Sequence, residues 1–127
     1  MGKQVIILIL SLLLLISGGI YETRYLENTS RYIKTDVDYV KSAIEQSNMD
    51  LAKERVKTLE STWGSVEKVW NIFVNHERID DLEEKLAMLK INIELKNEEE
   101  SLRSSMILKE IVDEIVDKQR LTFEHVL

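Results

Sequence analysis

Metal or acid–base chemistry in this sequence would have to start from His76. Asp80 and Glu84 follow it at i+4 and i+8, and Glu77 is its neighbour. On a helix that spacing sets an imidazole and two carboxylates along one face, a donor set that suits a single divalent cation. The competing reading is a turn histidine beside a solvated acidic helix start, where the helix dipole favours negative charge. Helical bundles that hold two metals carry Glu-x-x-His on two helices. Here Phe73 stands three residues before His76 and Thr122 three before His125, so that motif is absent. There is no Gly-rich phosphate loop, no Gly-x-Ser-x-Gly elbow and no His-Glu-x-x-His. Cysteine is absent, which rules out disulfides, thiol catalysis, cysteine-ligated zinc and a lipid-modified N-terminal cysteine. A serine–histidine–acid triad is compatible with the residue types, but nothing marks one. The expectation is a protein that is not an enzyme, with no catalytic residues, no cofactor and no resident metal.

The other side chains of interest are Trp63 and Trp70, the two tryptophans of the chain. They are one heptad apart. Exposed indoles would anchor a binding partner; buried ones would fill a core. Val56, Leu59, Trp63, Val66, Trp70 and Phe73 fall at steps of three and four, so both tryptophans share one helical stripe. Continued past Phe73, that stripe meets Glu77, Asp80 and Glu84. A new apolar series begins on another phase at Ile79, Leu82, Leu86, Leu89 and Ile93. One straight helix cannot offer both series to one partner. The chain is therefore expected to turn near Asn75–Arg78, with asparagine at a left-handed helix end.

The rest of the chain supplies the elements. It has 127 residues, no proline and four glycines, a composition suited to long helices rather than to a sheet with many tight turns. The net charge of −6 argues against a generic nucleic-acid binder, which would need the opposite sign. Leu26, Ile33, Val37, Val40 and Ile44 mark a first helix from Glu22 to about Gln46, with polar gaps at Thr29 and Ser30. Tyr25, Tyr32 and Tyr39 flank it. Asn28-Thr29-Ser30 matches a glycosylation acceptor, although helical context argues against its use. Ser47-Asn48-Met49-Asp50 has the form of a capping box opening the second helix, in which Gly64 would let a neighbour approach closely. A third helix is expected from about Ile79 to Lys96. The fourth, near Ser101 to Glu124, follows a cap at Asn97-Glu98-Glu99-Glu100. Its broad face of Leu108, Ile111, Val112, Ile115, Val116 and Phe123 suits a bundle core better than a two-stranded coil.

Val5 to Ile16 is apolar except for Ser11, and Ser17, Gly18, Gly19, Ile20 and Tyr21 follow. The run is about 17 residues, at the short end for a bilayer span. It reads first as an uncleaved signal-anchor and second as a signal peptide cleaved after Gly19; a buried core helix is the third reading. Tyr21 and Tyr25 suit an interfacial aromatic anchor. The expected fold is all-α: a transmembrane or signal-anchor segment over residues 1–21, then an antiparallel, up-down-up-down four-helix bundle over 22–127. The first bundle helix is allowed to continue from the span, with Gly18-Gly19 as the weak point. The lipid bilayer is then a partner through residues 5–21. The expected location is the cell membrane, single-pass, with the bundle extracytoplasmic, although charge counting alone would allow the other orientation.

The apolar N-terminus, Trp63, the run Phe73-Val74-Asn75-His76-Glu77-Arg78-Ile79-Asp80 and the leucine-rich helix after it resemble the domain-of-unknown-function 4363 family of small bacterial membrane proteins. The resemblance implies bacterial membrane association, no established activity, and work beside a larger multi-pass membrane protein. It carries Trp63, His76, Glu77 and Asp80 as motif positions, with no catalytic role. Together with Trp70 these are the candidate interaction or structural residues. The functional expectation is a membrane-anchored helical interaction module, accessory to another membrane or envelope protein. The alternatives are an envelope sensor for a small ligand or divalent cation near His76, and a helical protein secreted after leader cleavage.

Overall fold

A computed structural model describes residues 2–126. They form four helices, α1 (Gly2–Glu45), α2 (Met49–Phe73), α3 (His76–Glu94) and α4 (Glu98–Val126), and no strand among the described residues. The apolar leader and the first bundle helix are one element of 44 residues, about 66 Å long at 1.5 Å per residue. Gly18 and Gly19 do not break it, so the expected boundary at residues 21 and 22 falls inside a continuous helix. The leucines and isoleucines from Val5 to Leu15 are all exposed, and burial on α1 begins at Leu26.

The core is built from the stripes read in the sequence. Leu26, Ile33, Val37, Val40 and Ile44 of α1 meet Val56, Leu59, Trp63, Val66 and Trp70 of α2, with Ile79, Leu82, Leu86, Leu89 and Ile93 of α3. From α4 come Leu108, Ile111, Val112, Ile115 and Val116. Helix α1 packs on α2 and α4, and α3 packs on α4 and, more loosely, on α2. Between α1 and α4 the polar pairs are Glu27–Arg120 (2.9 Å), Lys34–Asp113 (2.7 Å) and Asp38–Lys109 (2.9 Å). Each of these half-exposed pairs contributes at most about 1 kcal/mol. As numbering rises on α1, it falls on α4.

Three sequence expectations are corrected, two of them at turns. Asn75 does not end α2 in a left-handed conformation. Its backbone is extended and its side chain caps α3, accepting from the Glu77 N–H at 3.0 Å, so the break between α2 and α3 occupies only Val74 and Asn75. The capping box at Ser47 does not form. Ser47 takes the left-handed position after α1 (φ 55°), and Asn48 caps α2 by accepting from the Leu51 N–H. The Ser47 and Asn48 N–H groups donate back to the carbonyls of Ile44 and Ala43, which satisfies the carbonyls at the end of α1. The α3–α4 turn repeats this design, with Lys96 left-handed (φ 57°) and Asn97 capping through the Glu100 N–H. Finally, Gly64 admits no close neighbour: it is exposed, and a Cβ there would meet nothing within 4 Å.

Candidate functional site

Trp63 and Trp70 lie in the core, 4% and 0% exposed. Their rings meet edge to face, with centroids 5.6 Å apart and planes at 81°, a favoured aromatic geometry. The Trp70 indole N–H donates to the Thr29 hydroxyl at 2.9 Å, and that hydroxyl donates to the Tyr25 carbonyl at 2.7 Å. The Trp63 indole N–H is buried and meets no acceptor. Neither indole is placed to touch a partner; both hold α2 against the other helices.

His76, Glu77 and Asp80 occupy the first turns of α3 and are exposed. His76 Nε2 lies 3.9 Å from Asp80 Oδ1, with the imidazole side chain 85% exposed. The structure thus brings His76 and Asp80 together on one helical face but walls them off from nothing. Among the described residues no group of three or more His, Asp or Glu side chains is arranged to hold a metal ion. Arg78, between them, pairs with Asp81 at 3.7 Å and Glu114 at 3.5 Å. That contact ties the start of α3 to α4.

A better-formed site lies where α1 leaves the bundle. Leu12, Leu15, Ile16, Gly19 and Glu22 of α1 face Gln119, Thr122 and Phe123 of α4 across an apolar groove of about 290 Å³. The Phe123 ring lies directly on Gly19, in the space a Cβ would occupy there. A glycine at this point is what permits the close approach. Gln119 is anchored from the other side, its Nε2 donating to the Phe73 carbonyl at the end of α2 (2.7 Å). Arg120 grips Glu27 through Nε and Nη2. The last turns of α4 are therefore held to α1 and α2 by two polar contacts and one aromatic one. Burial at the groove pushes the Glu22 carboxyl above the usual carboxylate range.

The sequence reading placed Gly19 at a cleavage site and Phe123 on a bundle face, and did not join them. No local signal joins them: Gly18 and Gly64 are helical glycines too, and a Cβ at either would meet nothing within 4 Å. Thr29 and Ser30, read as gaps in the α1 stripe, are packing residues too. Ser30 is buried and donates to the Glu27 carbonyl at 2.7 Å.

Residues 20–126 match the family model of a domain of unknown function, DUF4363, and the chain belongs to that family. No curated protein and no solved structure matches it.

Proposed function

We propose that this DUF4363 chain is a membrane-anchored, non-enzymatic interaction module, accessory to another membrane or envelope protein. Its four helices run up-down-up-down, and the falling α4 partners along a rising α1 support that antiparallel order. The observation that carries the reading is α1 itself. Its N-terminal half is long and apolar enough to cross a membrane and is nowhere buried in the molecule. Such a surface needs a non-aqueous environment. The same helix then enters the core without a break, so a rigid rod joins span to bundle. Tyr21 and Tyr25, stacked with centroids 6.3 Å apart, stand at the level where an aromatic belt belongs.

In this reading the anchor is retained rather than cleaved after Gly19, and the unbroken run of α1 from the apolar stretch into the core is what supports it. For the partner contact we favour the outer face of α3. Met88, Ile91 and Leu95 are exposed there at i, i+3 and i+7, opposite the buried stripe. In this reading the bundle lies outside the cytoplasm and works beside a multi-pass membrane protein, an orientation favoured by the short tail before the apolar run, the form in which export signals begin.

Protease treatment of intact cells, with the mass of the membrane-bound form, tests anchor and orientation together. The expected result is an uncleaved chain resistant to alkaline carbonate extraction, with its bundle digestible from outside. Detergent extraction should then recover a partner that is lost on Ile91→Glu while helicity is unchanged. A solely monomeric chain without a partner would overturn the reading. A melting point that rises with added divalent cation would favour a sensor at His76.

A further inference from the structure

We infer that the last turns of α4, from Leu121 to His125, lie in the interface of the same bilayer that α1 crosses and give the bundle a second membrane contact. The inference rests on the membrane-anchored reading of α1. Phe123 is seated on Gly19, and with Thr122 it faces Leu12, Leu15 and Ile16 of the apolar run. The Glu27–Arg120 pair holds α4 to α1 just above that contact. Whatever depth the upper part of the apolar run takes, the end of α4 takes it too.

Length sets that depth. The apolar run of about 17 residues rises about 26 Å, less than the roughly 30 Å of a hydrocarbon core. Tilting the helix would shorten its reach further. The run therefore has no residues to spare, and Gly19, near its upper end, lies at the boundary between hydrocarbon and headgroups. Phe123 is carried to the same boundary, and Leu121, 56% exposed, lies about 3 Å above it along α4. Phenylalanine and leucine are the side chains that interfacial helices bury there. The Thr122 hydroxyl donates to the Lys118 carbonyl at 2.9 Å, so it brings no unpaired donor. Glu124 and His125 are exposed, and a charged side chain is costly in hydrocarbon; they hold the segment in the headgroup layer. Arg24 and Lys118 are exposed and stand five residues above Gly19 and Phe123 on their own helices. That is about 7 Å, within the headgroup region, where lipid phosphates meet them. The nearby acids compete little: Glu22 is half-buried, and Asp117 faces Arg120 at 3.6 Å.

The experiment uses the full chain in vesicles of phosphatidylcholine and phosphatidylglycerol. Cysteine is absent, so single cysteines can each carry one nitroxide spin label. Leu121→Cys and, separately, Thr122→Cys replace exposed residues, and far-ultraviolet circular dichroism should be unchanged in both. Met106→Cys is the reference: it is exposed and stands about 22 Å further up α4 than Leu121. Labels at 121 and 122 should be several-fold less accessible to a water-soluble nickel chelate than the label at 106, and more accessible to oxygen. Equal accessibility to the nickel chelate at 121 or 122 and at 106 overturns the inference. A label at Leu10→Cys separates the two readings. If it is shielded from nickel while 121 and 122 are not, this inference alone fails. If the label at 10 is itself open to nickel, the membrane-anchored reading fails with it.

Discussion

Removing the Thr29 hydroxyl should destabilise the bundle, because it strands the buried Trp70 indole N–H. Valine has the same shape and a similar helix propensity, so Thr29→Val deletes little except the acceptor for the Trp70 indole N–H, 2.9 Å away. Trp70 is 0% exposed, and no water reaches the stranded N–H. Leaving a buried donor unsatisfied costs about 1–3 kcal/mol. The Tyr25 carbonyl also loses the hydroxyl's donation, but it keeps its helical partner, so this adds little. For a bundle of about a hundred residues, the melting temperature should fall by roughly 4–20 °C. Thermal unfolding of the full chain in micelles, followed by circular dichroism, reads the change. In a Trp70→Phe background, which has no N–H to strand, the same substitution should cost close to nothing. Trp63 supplies an internal contrast. Its N–H is already without an acceptor, so Trp63→Phe deletes no hydrogen bond and should cost less than Trp70→Phe. A Thr29→Val protein within about 0.5 kcal/mol of the parent, or equal costs in the two backgrounds, would refute the reasoning.

Gly19→Leu should drive Phe123 off α1 and free the last turns of α4; hydrogen exchange should speed up from Gln119 onward but not in α2, and adding Phe123→Ala should remove the clash. Gly64→Ala should stabilise the bundle by about 0.5–1 kcal/mol, because the site is helical, exposed and open to a Cβ; an unchanged or lower melting temperature would count against that placement. Glu22 has its folded-state pKa raised by burial, so the folded protein holds that proton more tightly than the unfolded chain. Stability should then fall as pH rises from the ordinary carboxylate range through the raised value. Glu22→Gln should remove that loss, raising the melting temperature at neutral pH and leaving it unchanged well below the carboxylate range.

Helix type and core membership were legible without a structure because they depend on local spacing. The α2 stripe from Val56 to Trp70 and the α3 stripe from Ile79 to Ile93 are each buried as their three-and-four steps require. The change of phase between them did mark the break between two helices. Its details were less legible. An asparagine or serine between two helices can end one or begin the next, and which it does depends on the φ of a single residue. Asn75 and Asn48 became N-caps, while Ser47 and Lys96 took the left-handed positions. Polar residues within an apolar stripe were equally ambiguous. Thr29 looks like a gap until Trp70, forty-one residues on, is placed beside it.

Sequence by itself determined that the chain is helical, that its first stretch is greasy enough to leave water, and that four amphipathic faces must find one another. These follow from side-chain periodicity and composition, which act over a few residues. Tertiary structure alone decided that the apolar N-terminal stretch and the first bundle helix are one unbroken rod, that the two indoles are interior, and that Phe123 seats on Gly19. Those outcomes depend on contacts between residues as much as a hundred positions apart. Their geometry comes from the relative offset of packed helices, which no local pattern records.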